Sequence, residues 1–247
     1  MADYQPYLPQ SEPVRVDQGI WTVEGPTVPY KVGPLTVPCP TRSTLLADPQ
    51  GHIWIHSPVA YSRELHASIE ALGPIAGLIA PNSFHHLSLE EWSRHLAGTR
   101  IVMAPDLEDR FAALKPQIVA LPDFGRTSGP RWLALEVIEG GSWCEIAFYH
   151  YSSRSLVLTD ILQNFELARI NGLPAKALLT LSGARRGPVV SIEMLAMAFR
   201  AGKLAKVRES LAKIRRMSAR RVLISHGAQP SSENLRGIGW TIDPPAT

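Results

Sequence analysis

A chain of 247 residues, 45% hydrophobic and 19% charged, has enough apolar side chain for one large core and is neither disordered nor low in complexity. Its formal net charge of +3 is small, and the basic residues crowd into residues 200–221 rather than coating the molecule. The two cysteines, Cys39 and Cys144, lie far apart without a CxxC pair, so neither a disulfide framework nor a zinc ribbon is indicated and a reducing compartment fits best.

Residues 1–13, polar and proline-bearing, lack the basic flank and apolar run of a secretory signal and read as a flexible arm. No apolar run later in the chain reaches the length of a bilayer span, so the expectation is a cytoplasmic protein with no membrane segment. Residues 19–23 (GIWTV) form a short strand candidate. The prolines at 26, 29, 34, 38 and 40 then predict an extended, edge-like segment. Residues 42–47 and 52–56 make a hairpin about the turn Asp48-Pro49-Gln50-Gly51, ending at His56. A helix over about 62–72 carries Leu65, Ile69 and Leu72 on one side.

The apolar run 75–80 (IAGLIA) reads as a buried strand stopped by Pro81-Asn82, and it delivers Ser83, Phe84, His85 and His86 to a loop. Ser88, with Glu91 three residues on, predicts the N-cap of a helix over about 89–97. A strand over 100–104 completes an α/β layer with partly parallel strands, an acidic patch of Asp106, Glu108 and Asp109 begins a further short helix, and residues 118–120 and 122–125 read as a short strand and a turn. Residues 132–138, 144–149 and 155–159 read as an antiparallel meander ending at Asp160. Residues 160–169 start a helix or a loop, broken by Asn171-Gly172-Leu173-Pro174, and Arg185-Arg186 sit in an exposed loop. Helices follow over 191–199 and 203–217, the second with an apolar stripe of Leu204, Val207, Leu211, Ile214 and Met217. A last strand, 221–224, delivers Ser225-His226-Gly227 to a loop, and the remaining tail is polar.

Three strand ends therefore present metal-ligating side chains: His85-His86, Asp160 and His226. With the stretches WIHSPV, PNSFHH, FYHYSSRSLVLTD and ISHG, this order resembles a divergent branch of the metallo-β-lactamase-like superfamily, over roughly residues 20–227. The resemblance implies an α/β (α+β) fold: an αβ/βα four-layer sandwich, two mixed sheets face to face with helices outside. It would make residues 14–247 a single domain with halves of about 14–129 and 130–240.

Placed on PNSFHH, the family's first two motif histidines fall on Pro81 and Ser83, its aspartate on His85 and its last histidine on His86. The middle histidine, expected near 141–142, is absent, while the bridging aspartate matches Asp160 and the terminal histidine His226. The resemblance thus implies one retained metal site, His85, His86, Asp160 and His226, holding a single divalent zinc or iron ion. Four protein ligands would leave tetrahedral zinc no open position for water. His56, Asn82, Ser83, Glu145 and His150 are candidates for supporting that site or meeting a substrate, although capping is the safer role for Asn82 and Ser83, and a satisfied strand-end histidine for His150.

Two other functions compete with a metal-dependent hydrolase of a small molecule. The same polar groups can form a non-catalytic hydrogen-bonded network. The basic helix over 203–221 can meet nucleic acid, but it lacks interleaved aromatics and reads better as a solvated cationic face. The oligomeric state stays open.

Overall fold

The computed structural model of the chain describes residues 3–96, 98–121, 124, 131–184 and 187–237. In chain order the first half comprises β1 (Asp3–Tyr4), β2 (Pro13–Asp17), β3 (Ile20–Val32), β4 (Leu35–Ala47), β5 (Ile53–His56), α1 (Arg63–Glu70), β6 (Ile75–Ala80), α2 (Leu89–His95) and β7 (Arg100–Met103). Strands β2 to β7 form one six-stranded sheet in that order, antiparallel as far as β5 and parallel from β5 to β7. The change follows from the connections: short turns can only join antiparallel neighbours, whereas α1 and α2 supply the crossovers that parallel strands require. Helix α1 starts where the Ser62 hydroxyl accepts the Leu65 N–H, and it buries Leu65 and Ile69. Gly77 on β6 lies opposite Trp54, and a Cβ there would overlap the indole, so this position admits no side chain.

The second half comprises β8 (Leu133–Glu139), β9 (Cys144–His150), β10 (Ser155–Val157), β11 (Leu162–Gln163), β12 (Ile170–Asn171), α3 (Leu173–Leu181), β13 (Val189–Val190), α4 (Ile192–Arg200), α5 (Leu204–Arg215), β14 (Arg221–Leu223) and α6 (Ser232–Gly237). Its four-stranded sheet runs β14-β10-β9-β8, with β10 and β14 parallel. The two mixed sheets pack face to face. Trp54 of β5 meets the edge of Phe124 at 4.6 Å between ring centroids, and Phe124 in turn meets Phe148 of β9 at 6.1 Å. A second core joins this sheet to α4 and α5 through Ile138, Leu156, Met194, Val207, Leu211 and Ile214. Each such fully buried aliphatic side chain stabilises the fold by roughly 1.5–3 kcal/mol, so packing holds α5 in place. Its cations contribute little by comparison; Lys206 pairs with Glu139, and Lys213 with Glu136 and Glu209, all at the surface. No helix among the described residues is long and apolar enough to cross a membrane.

Several elements differ from the sequence expectation. Residues 3–13, read as a flexible arm, are tied down: β1 pairs with β12, and Tyr4 is buried with its hydroxyl against that of Tyr7. The proline-rich segment lies inside a long β3–β4 hairpin, whose distal part from Val28 to Cys39 pairs only with itself. Pro29 faces Pro38 across it, which is tolerated because a pair lacking both N–H groups can occupy a position that exchanges no ladder bonds. The strand expected at 118–120 is a single bridge from Ile118 to Ile101. Helix α3 begins where a break was expected, since Pro174 in its first turn gives up only an N–H that has no intrahelical partner. Ser88 precedes α2 without a side-chain capping bond. The turn expected at 122–125 lies largely outside the described residues, as do Arg185, Arg186 and the tail beyond 237.

Candidate metal centre

Three strands deliver the centre to one edge of the sandwich. Strands β10 and β14 run parallel with Val157 opposite Leu223, and each chain continues for three residues to Asp160 and His226. The first sheet joins them through a bridge between Asn82, just beyond β6, and Glu145 of β9. Asn82 then turns the loop: its Oδ1 accepts the backbone N–H groups of Phe84 and His85, both at 2.9 Å. Its Nδ2 donates to Asp160 Oδ2 at 2.6 Å and to Thr159 Oγ1 at 2.9 Å. One buried amide therefore sets the positions of both His85 and Asp160.

His85, Asp160 and His226 come together, each with a ligand atom within 4.8 Å of the others. His85 Nε2 and His226 Nε2 are 3.0 Å apart, and Asp160 places Oδ1 3.0 Å from His226 Nε2 and Oδ2 3.2 Å from His85 Nε2. Around a tetrahedral ion with bonds of about 2.0–2.1 Å, neighbouring donors stand roughly 3.3 Å apart, so the two imidazole nitrogens and the carboxylate oxygen facing each are spaced nearly as a cation would hold them. The outer nitrogens are fixed as well. His226 Nδ1 lies 2.8 Å from the Pro40 carbonyl, which only accepts, so Nδ1 carries a hydrogen. In neutral His226 the lone pair then sits on Nε2, facing a carboxylate and a second imidazole. The His85 Nε2–H can meet that lone pair, but the lone pair's contact with the Asp160 oxygen 3.0 Å away is repulsive unless a metal cation or an extra proton lies between them, and the donor set suits zinc or iron.

The charges agree. Burial alone would raise the Asp160 carboxyl, yet the charge of His85 and the hydrogen bonds from His226 and His85 hold it well below the usual carboxylate range. Burial would lower His226, but Asp160 and the Pro40 carbonyl raise it. His85 is lowered, chiefly by burial and against the pull of Asp160.

His86 is not in the cluster. Its ring turns to Phe111, with centroids 5.2 Å apart, and burial followed by the charge of Arg110 lowers its pKa. Adjacent residues on this tight loop project in different directions, so of the four residues the resemblance implied, three come together without His86. Glu145 is no ligand either: its carboxylate accepts the N–H groups of Thr159, Asp160 and Ile161 at 2.8, 2.9 and 3.0 Å, bracing the loop that carries Asp160. His150 sits opposite Ser155, at the far end of β10 from Asp160, and is satisfied by Ser153 and the Ala47 carbonyl. His56 packs edge-on against Phe148 with neither ring nitrogen hydrogen-bonded, and burial pushes its pKa down to about 3. Ser83 lines the cavity above the cluster.

Sequence reasoning missed three supports. The Ser57 Oγ lies 2.6 Å from His85 Nδ1, fixing that ring. The Pro40 carbonyl orients His226. Buried Arg42, paired with Glu24 at 2.5 Å, donates to the Ile224 carbonyl at 2.7 Å and holds the strand that leads to His226. Ser57 was within reach as the residue after a strand-ending histidine; a backbone carbonyl leaves no mark in a sequence. Gly227, at φ +88°, permits the turn after His226, and a Cβ there would overlap the Asn164 carbonyl. Gly227→Ala is expected to cost at least about 2 kcal/mol in urea unfolding and to displace His226, weakening metal retention at least tenfold.

No protein-family model matches the chain, and no curated protein matches it. Solved structures do. A metallo-β-lactamase from Pontibacter korlensis is 13% identical and superposes with a TM-score of 0.53 over 92% of this chain and 96% of that one. The mono-zinc form of the Pseudomonas aeruginosa metallo-β-lactamase FIM-1 is also 13% identical, with a TM-score of 0.53 over 95% and 93% of the two chains. The chemotaxis sensor ODP, described as a peroxy diiron species, is 14% identical with a TM-score of 0.53 over 91% of each chain. The chain has the metallo-β-lactamase fold.

Proposed function

We propose that this chain is a metal-dependent hydrolase of a small molecule, with one divalent zinc or iron ion held by His85, Asp160 and His226. The observation that carries the proposal is the fixed tautomer of His226, which turns its Nε2 lone pair toward a carboxylate and a second imidazole nitrogen 3.0 Å away. Three protein ligands leave a position for water or substrate, as catalytic sites do. A cation bound there supplies Lewis acidity and lets water act as a nucleophile near neutral pH. The chain's own residues do the positioning: Asn82 and Glu145 hold Asp160, Ser57 holds His85, and the Pro40 carbonyl holds His226. The similar solved structures include a mono-zinc lactamase and a diiron protein, in keeping with either metal. Both cysteines are free and buried, which fits a cytoplasmic setting.

The alternative is a metal-free network in which His226 carries the extra proton and donates to Asp160. Elemental analysis of protein purified without added metal separates the two. About one zinc or iron per chain is expected, with loss of at least nine-tenths of it in Asp160→Ala. Metal-free protein, or unchanged content in the variant, rejects the centre.

A further inference from the structure

Above the cluster opens a cavity of about 800 Å³, at the large end of the range for small-molecule sites. One wall is the self-paired distal ribbon of β3 and β4, contributing Val28 and Val32; the other is the end of α3 and the start of α4, contributing Leu178, Leu181, Ile192 and Met194. Val28, Val32 and Leu178 are only partly buried against the small core behind them, so their apolar surface faces the cavity. The apolar lining continues to the mouth, where Leu87, Leu181 and Ile192 are 65, 81 and 53% exposed. Charge is scarce. Among the described lining residues, the only lysine, arginine, aspartate or glutamate side chains besides Asp160 are Arg110 and Glu193, and Glu193 is engaged by the Tyr30 hydroxyl at 2.9 Å.

This distribution has a chemical direction. Polar groups able to handle a reacting carbonyl lie at the floor, while the walls offer long apolar surface and little to pair with phosphates or several carboxylates. We propose that the cavity binds esters with a long hydrocarbon acyl chain, the carbonyl over His85, Asp160 and His226 and the chain between the β3–β4 ribbon and helices α3 and α4. For the chemistry at the carbonyl, this rests on the metal-centre reading above. Water is the co-reactant: its oxygen bonds to the acyl carbon, the bond from that carbon to the alkoxy oxygen breaks, and the alcohol leaves with one of the water's protons. The other proton is released from the carboxylic acid at neutral pH.

Binding is tested without turnover by letting butanol, octanol and dodecanol displace a fluorescent apolar probe. Affinity is expected to rise steeply with chain length, at most about fourfold per fully buried methylene. Ile192→Asp, at an exposed helix start that accepts an acidic side chain, and Leu178→Gln are each expected to weaken dodecanol at least tenfold and butanol less than twofold. The 4-nitrophenyl ester of dodecanoic acid is expected to exceed that of acetic acid at least tenfold in kcat/KM. Equal affinity along the series, or a chain-length trend untouched by both variants, overturns the ligand class. Metal content is measured on the same samples. Chain-dependent binding by protein that holds no metal rejects the metal centre and the hydrolysis with it, but keeps the ligand class. Metal retention with chain-independent binding does the reverse.

Discussion

Glu145→Ala is expected to lower stability by about 3 kcal/mol or more and, on the function proposed above, to release metal, although Glu145 is not one of the proposed ligands. Its carboxylate is fully buried and takes three successive backbone N–H groups, those of Thr159, Asp160 and Ile161. Removing it leaves three donors in a place water does not reach, and each unsatisfied buried group costs about 1–3 kcal/mol. Burial and then the charge of Asp160 push the Glu145 carboxyl up, while the N–H donors pull it back. Glu145→Gln keeps the shape and one accepting oxygen but turns an NH2 toward other donors, so an intermediate loss is expected. Urea unfolding with elemental analysis measures both effects. An alanine variant within about 0.5 kcal/mol of the parent would show that the loop is held some other way.

Below pH 6.5 the metal-free protein is expected to lose the stability that neutral His56 contributes, against the opposite contribution of Glu145, whose carboxyl is pushed up to about 7. His56 is buried without a hydrogen-bond partner, and its pKa falls from 6.5 to about 3. The unfolded chain takes up this proton near 6.5 and the folded protein resists it until about 3. The contribution is therefore intact above 6.5 and is lost at up to roughly 1.4 kcal/mol per pH unit below it, which amounts to about 2 kcal/mol between pH 7 and pH 5. His85, His86 and His150 are lowered as well and act in the same direction. His226 is raised, so its contribution is complete below 6.5 and fades as pH rises through its folded value. Asp160 is lowered, so its contribution is lost only at more acid pH, as its carboxylate protonates. His56→Leu is expected to remove about 2 kcal/mol of the difference between pH 7 and pH 5, measured by urea unfolding of chelator-treated protein. Identical slopes in parent and variant would mean that His56 is hydrated.

Much of the centre was legible because strands end visibly. The run 75–80 corresponds residue for residue to β6, and the chain direction from β10 and β14 carries Asp160 and His226 to the same edge. What failed to show was side-chain direction on irregular backbone. His85 and His86 are neighbours of the same type, and the turn set by Asn82 sends one to the cluster and the other to Phe111. Glu145 looked like a spare carboxylate because a sequence records the group and not the N–H donors it faces.

Alternating and helical apolar patterns, together with the prolines and glycines that interrupt them, were enough to define most strands and helices, since burial of one face is a local property of spacing. They also marked three strand ends as places where imidazole and carboxylate groups emerge. Only the folded chain decided that three of those groups meet, because the contacts that aim them cross the whole sequence. The Pro40 carbonyl that fixes His226 lies 186 residues away from it, and no local pattern encodes a distance closed by packing one sheet on another.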